Sequence, residues 1–247
     1  MRFVLYNIRY CAGTGPDFHW PMPFTGYLRR SDDNLRQISA FLASLQPDII
    51  GLIEVDNGSY RSQKKNQAEE IARELNATHV SKTKYGQPFF SQHMPVLREQ
   101  GNAFVTRLDI AKNDFHWFRN GIKRLVIELE LDDYVVFLVH LSLRFRHRQH
   151  QLTELYKLFA ETKKPKIVAG DFNVFWGDRE LELFLAASKL ISANKNNQPT
   201  FPSWAPKRQL DFVLHSPEIE MTRFAVPGVQ FSDHMPLVCD FEVNRRA

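Results

Sequence analysis

Apolar residues along this chain cluster in short runs separated by amphipathic segments, the pattern of buried strands alternating with helices. The first run predicts a strand over residues 2–6. Leu35, Ile38, Leu42 and Leu45 then mark one face of a helix that Pro47 stops. Ile49-Ile-Gly-Leu-Ile53 reads as a fully buried strand ending at Glu54. Ala68, Ile71, Ala72 and Leu75 predict a helix over 67–75, and strands follow at 102–106, 115–118, 124–131 and 135–140. Asp132-Asp133 is a hairpin turn signal between the last two. Leu152, Leu155, Leu158 and Phe159 predict a helix over 149–161, and a strand at 166–170 follows Pro165. Asp178 is expected to cap a helix carrying Leu181, Phe184 and Leu185, and strands at 210–215, 221–225 and 235–243 complete the series. Hairpins mixed with crossover helices predict an α/β chain of packed mixed β-sheets flanked by helices. No repeat or linker divides it, so residues 1–247 read as one domain.

Two stretches escape this periodicity. Residues 11–30 hold Phe18, His19, Trp20, Phe24 and Tyr27 among three prolines, and residues 82–100 hold Tyr85, Phe89, Phe90 and His93. Long aperiodic loops are functional or disordered, and the aromatics favour function.

At 247 residues the chain lies near the size at which one core stops growing. Hydrophobic content of 43% and charged content of 24% suit a packed globular protein. The net charge of +4 is compatible with an anionic substrate but decides nothing alone. Cys11 and Cys239 are far apart in sequence and read as two buried thiols rather than a disulfide. The N-terminus lacks the apolar core of a signal peptide, and no apolar stretch approaches the roughly 20 residues that span a bilayer. A soluble cytoplasmic protein is therefore expected.

The chemistry stands at the strand ends. Apolar runs terminate in Asn7, Glu54, His140, Asp171 with Asn173, Asp211, and Asp233 with His234. A carboxylate beside a core strand is costly unless it meets a metal or a cation. One such residue is explained by capping, but a series of them would converge on one rim if the strands lie side by side. The types suit phosphate-ester hydrolysis. That reaction uses a hard cation on the phosphoryl oxygens, a carboxylate to orient or deprotonate water, and donors for the developing charge. Mg2+ (or Mn2+) takes one or two carboxylates plus waters, whereas the histidines lack the close spacing of a zinc site.

Phe3-Val-Leu-Tyr-Asn7-Ile8, Ile50-Gly-Leu-Ile-Glu54-Val55, Gly101-Asn-Ala-Phe, Val139-His140-Leu, Gly170-Asp171-Phe-Asn173, Leu210-Asp211-Phe and Ser232-Asp233-His234-Met-Pro236 resemble, in order, the motifs of the endonuclease/exonuclease/phosphatase superfamily. The resemblance runs from residue 3 to about 243 and implies a four-layer sandwich with the site at one edge. It implies that Asn7 and Glu54 hold the metal, with Asp233 as a further ligand. Asp171 would orient the water, Asn173 would bind the phosphoryl group, and His234 would donate to it as a charged group held by Asp211. His140 falls where deoxyribonuclease-like members use histidine for phosphate or leaving-group contacts.

The substrate is less legible. Abasic-site endonucleases carry an aromatic residue shortly before Leu210-Asp211 and a tyrosine in place of His140, and this chain has Lys207-Arg208-Gln209 and histidine. Arg144, Arg146 and Arg148, interleaved with Phe145, would suit a polyanion, while a solvated helix start is an equal reading. Trp176 and Trp204 offer stacking surfaces or simply pack. A nucleic-acid or nucleotide phosphodiester is expected first, a phospholipid second and a small phosphomonoester third, with an inactive binding module as the reading from another class.

Overall fold

The computed structural model describes residues 1–14, 31–84 and 97–244, the side chains of Leu97 and Asp178 excepted. Its strands are β1 (Arg2–Asn7), β2 (Ile49–Asp56), β3 (Thr78–Thr83), β4 (Gln100–Thr106), β5 (Lys112–Trp117) and β6 (Leu125–Glu130). They continue as β7 (Val135–His140), β8 (Lys166–Asp171), β9 (Ile191–Ser192), β10 (Asp211–His215), β11 (Ile219–Ala225) and β12 (Leu237–Val243). The helices are α1 (Asp32–Ser44), α2 (Gln67–Glu74), α3 (Phe145–Ala160) and α4 (Glu182–Ser188).

The strands form two six-stranded mixed sheets, ordered β11-β12-β1-β2-β4-β3 and β5-β6-β7-β8-β10-β9. Each sheet has a parallel pair at its centre, β1 with β2 and β7 with β8. Helices α1 and α3 make the crossovers that parallel pairing requires. Side-chain alternation then sorts β1 between two cores: Phe3 and Leu5 face one, Val4 and Tyr6 the other.

The inner core lies between the sheets, with Phe3, Phe104, Ile127, Leu138, Val213 and Phe241 from both. A second packs Ile38, Leu42 and Ile71 of α1 and α2 against Val4 and Tyr6. A third packs Leu155, Phe159 and Phe184 of α3 and α4 against Phe137 and Val139. Three cores separate four layers, helix–sheet–sheet–helix, as expected. Cys11 and Cys239 are buried and unpaired.

The differences from the expected elements have local causes. Strand β3 carries Thr-His-Val-Ser-Lys-Thr, half exposed and without an apolar run to betray it. Helix α3 starts at Phe145 rather than 149, because its first turn is polar and arginine-rich. A short 3-10 turn, Asp178–Leu181, precedes α4, so the residue before that helix is Leu181 and Asp178 is not its cap. The aromatic residues Phe18, His19, Trp20, Phe24, Tyr27, Tyr85, Phe89, Phe90 and His93 lie outside the described residues.

Candidate active site

Parallel pairing brings four expected residues to one edge. Asn7, His140 and Asp171 end β1, β7 and β8, and Glu54 stands near the end of β2. Strand β10 runs antiparallel to β8 with Asp211 opposite Asp171, so its first residue lies at the same edge. Leu237 lies opposite Leu5, so the segment preceding β12 delivers Asp233 and His234 there too.

Glu54 reaches the site through a defect in its strand. The register of β2 against β4 slips between Ile53 and Val55, leaving Glu54 as the extra, bulged residue with φ +59°. A non-glycine residue rarely adopts that conformation, and a bulge re-aims the side chain it carries. The N–H freed from the ladder donates to Asn102 Oδ1 at 3.3 Å. Gly101 on the facing strand has no alternative: a Cβ there would lie 2.4 Å from Lys82 O.

Asp171 is the hub. Its Oδ2 accepts from Asn7 Nδ2 at 3.2 Å and lies 3.3 Å from His140 Nε2 and 3.9 Å from His234 Nε2. Its Oδ1 accepts the Asn173 N–H at 3.0 Å. Burial opposes ionisation, but His140 and His234 bring the carboxyl below the usual carboxylate range. Asp211 Oδ2 stands 2.8 Å from His234 Nδ1 and also accepts from Thr200 Oγ1 at 2.6 Å. Burial alone would lower His234, but the charges of Asp211 and Asp171 outweigh it and raise the ring to about 10. His234 is thus a buried imidazolium, its ring against Phe201 at 4.9 Å between centroids.

His140 is the opposite case. Burial, then the charges of Lys123 and Lys84, hold it well below an ordinary histidine, so it is neutral. Its Nε2 meets the Lys123 ammonium. Lys84 Nζ and Lys123 Nζ stand 3.6 and 3.8 Å from Glu54 Oε1. Burial works against the Glu54 charge too, but the two lysines win and keep its carboxyl low. Lys84 also donates to Tyr10 Oη at 3.1 Å, and Tyr10 donates to Gln100 Oε1 at 2.9 Å. Below, the buried Asp56–Arg61 ion pair lays the guanidinium 4.5 Å over the Tyr10 ring. Beside Glu54 opens a pocket of about 450 Å3, walled by Lys84, Lys123, Tyr10, Leu143, Arg144 and His147.

Other expected residues sit differently. Asp233 Oδ2 faces Arg9 Nε at 3.5 Å and its Oδ1 accepts from Ser232 at 3.2 Å. Asn173, with φ +52°, donates one amide hydrogen to Leu141 O at 2.9 Å and carries a second. Arg148 is a correction: it is buried, paired with Glu180, and donates to the carbonyls of Ser142 and Leu143 at 3.0 and 2.8 Å. It holds a loop and offers nothing to a ligand. Arg144 and Arg146 are exposed, and Arg144 alone of these two lines the pocket. Trp176 is 81% exposed above a second groove with Lys207 and Arg208, while Trp204 is half-buried.

A metal fits the donor set at Glu54 better than the histidine cluster. Asp171, Asp211 and His234 converge within ligand distance of one another, but His234 is protonated and bonded to Asp211. Glu54 offers a carboxylate held in a strained bulge at the pocket, and Asn7 a hard amide oxygen, the donors Mg2+ takes. Asp114, His116 and Glu128 also cluster, on the face of β5 and β6. They are half exposed, with His116 Nε2 2.7 Å from Glu128 Oε2, an ordinary cross-strand pair.

Residues 4–234 match the model of the endonuclease/exonuclease/phosphatase family. No curated protein sequence matches the chain. An endonuclease/exonuclease/phosphatase from Beutenbergia cavernae is similar in structure, with 19% identity over 98% of this chain and 71% of that one, at a TM-score of 0.74. The mannosyl-6-phosphatase Bt3783 of Bacteroides thetaiotaomicron shares 15% identity over 98% and 99%, at 0.71. TDP2 of D. rerio, complexed with a single-strand DNA product, shares 15% over 98% and 99%, at 0.70. These likenesses concern the fold.

Proposed function

Because the chain belongs to the endonuclease/exonuclease/phosphatase family and is a phosphoric ester hydrolase, we propose that it is a Mg2+-dependent phosphodiesterase acting on nucleic acid or nucleotides. The observation that carries this reading is the ionised Asp171 carboxylate facing the imidazolium of His234 at 3.9 Å. A base and a charged donor side by side at the strand ends are the pair that water attack on a phosphate uses.

A Mg2+ ion held by Glu54 and Asn7 would act as a Lewis acid on the phosphoryl oxygens. The remaining work falls to the chain. Asp171 orients a water and accepts its proton. His234 donates to a phosphoryl oxygen as charge develops, and Asp211 and Thr200 fix its ring. The free amide hydrogen of Asn173 adds a second donor. Asp233 holds Arg9 at the rim, with metal ligation as its further proposed role.

For the substrate, the exposed Arg144 and Arg146 and the exposed Trp176 beside Lys207 and Arg208 support a nucleotide chain, whose phosphates take the cations and whose bases stack. The TDP2 complex with single-strand DNA is consistent with that choice. A second reading has its own observation: Ile122, Leu143 and Phe145 are exposed among these arginines, which suits a phospholipid surface. No helix among the described residues is long and apolar enough to cross a membrane. The two free buried thiols support placing the enzyme in a reducing cytoplasm.

The test is a Mg2+-dependent activity panel of oligonucleotides, nucleotides, phospholipid vesicles and phosphomonoesters, with Asp171→Asn as control. Hydrolysis of the nucleic-acid members that chelation stops is the expected result. Full turnover in excess chelator would sink the metal assignment, and activity confined to vesicles or phosphomonoesters would sink the substrate.

A further inference from the structure

The pocket beside Glu54 is built to be positive. Among its described walls, Lys84, Lys123, Arg144 and His147 face a single carboxylate, Glu54. Lys84 is 2% exposed, and a buried ammonium is costly without an anion. Its Glu54 partner, 3.6 Å away, is shared with Lys123 at 3.8 Å and is the residue offered to a metal. With a divalent cation present, both ammonium groups would face a cation across Glu54, the carboxylate they share. A lone phosphodiester brings one negative charge to that excess.

The cations are also held in place by buried groups with no other evident task. Gln151 on α3 donates to Asn120 O at 2.8 Å and Lys123 O at 2.7 Å, and accepts the Ser142 N–H at 2.8 Å. Gly121, at φ +95°, lets the Lys123 loop approach: a Cβ there would fall 2.1 Å from Ser142 Oγ. Arg148, one position past His147, ties down the loop ahead of Arg144.

The start of α3 gives an independent sign. Its first turn contains no acid, and Arg144 at the N-cap offers no side-chain acceptor. Cations there oppose the helix dipole, and the N–H groups of the first turn favour an anion. A sequence that stacks arginines and a histidine at the positive end of a helix, beside two lysines, is arranged for an incoming anion.

We propose that this pocket receives a second phosphate of the substrate, next to the one hydrolysed, with Lys84, Lys123, Arg144 and His147 as its ligands. The inference rests on the phosphodiesterase reading and narrows it: the preferred substrate carries two phosphates close together. Its apolar wall of Tyr10, Ile122 and Leu143 accepts the body that joins them. At about 450 Å3 the pocket suits a mononucleotide-sized group rather than a duplex.

The second phosphate has two sources, a small bisphosphate or the phosphorylated end of a strand, and two substrate pairs separate them. One pair is the p-nitrophenyl ester of thymidine 5′-phosphate with and without a 3′-phosphate. The other is a short oligonucleotide with a 5′-phosphate or a 5′-hydroxyl. With Mg2+, kcat/KM should favour the added phosphate at least tenfold in one pair or both, and the pair that responds identifies the source. That ratio should fall toward one in Arg144→Ala and in Lys84→Met. Should Lys84→Met not fold, Arg144, an exposed residue, decides alone. Calorimetric binding of the same pairs to Asp171→Asn gives a readout without turnover. Equal kcat/KM and equal binding within both pairs, or an advantage that both variants retain, would overturn the proposal. Absence of Mg2+-dependent hydrolysis would instead fail the reading of function, leaving the binding comparison to decide the pocket.

Discussion

Nδ1 of His234 lies 2.8 Å from Oδ2 of Asp211, which turns the opposite ring nitrogen toward Asp171. Removing that donor should lower kcat by about 100-fold or more, as loss of a transition-state donor does elsewhere. Asp211→Asn should act through the same ring, so the double variant His234→Ala with Asp211→Asn should be little worse than either alone. Steady-state kinetics of the three proteins check this, and fully additive losses would show the two residues acting separately.

The same pair predicts a pH dependence of stability. His234 is raised to about 10, above the roughly 6.5 of a free histidine. Its contribution is therefore complete below about 6.5, declines as pH rises, and is gone past about 10. Thermal melts of wild type and His234→Gln at pH 6, 8 and 10 should show a Tm gap that narrows at each step. A constant gap would mean that the ring is not charged in the fold.

Asn102 touches nothing that reacts, yet it accepts the N–H freed by the Glu54 bulge. Asn102→Ala should cost about 1–3 kcal/mol in denaturant melts, because a buried N–H loses its partner. It should also raise the Mg2+ concentration needed for half-maximal rate. A variant with unchanged metal response would show that the bulge holds itself.

Arg148→Ala should destabilise the fold by about 3–5 kcal/mol, the usual penalty for leaving one member of a buried pair, here Glu180. Arg146→Ala, at an exposed position, should change stability by less than about 0.5 kcal/mol. Equilibrium unfolding of both tests the contrast, and equal small effects would contradict the burial of Arg148.

These two arginines mark the limit of what the sequence discloses. Strand-end chemistry was legible because apolar runs that stop at Asn7, Glu54, His140 and Asp171 leave polar side chains where strands stop, and parallel pairing aligns those ends, while antiparallel β10 brings its first residue, Asp211, to the same edge. The sandwich followed from the same runs. Arg148 misled because its arginine neighbours conceal a helical period that turns it inward every few residues. Lys84 and Lys123 went unseen for another reason. Lys84 follows a strand with no apolar run, and Lys123 sits in a loop whose shape is set by Gln151 from a distant helix. Only the Lys-Tyr and Gly-Ile-Lys stretches beside those positions hint at them. The charge state of His140 was likewise invisible, since it depends on lysines remote in the chain.

Strand β1 lies between β12 and β2, with the terminal ammonium of Met1 donating to Phe241 O at 2.9 Å. A ribosome lays down β1 long before β12, at roughly 5–20 residues per second. For on the order of ten to fifty seconds the nascent chain therefore holds one edge of β1 without its native neighbour. Asp233 and His234 emerge only at the close of that interval. A fragment still in translation thus carries Glu54 and Asp171 without His234, so the proposed hydrolysis would wait for the segment that leads into β12 rather than grow in step with the chain.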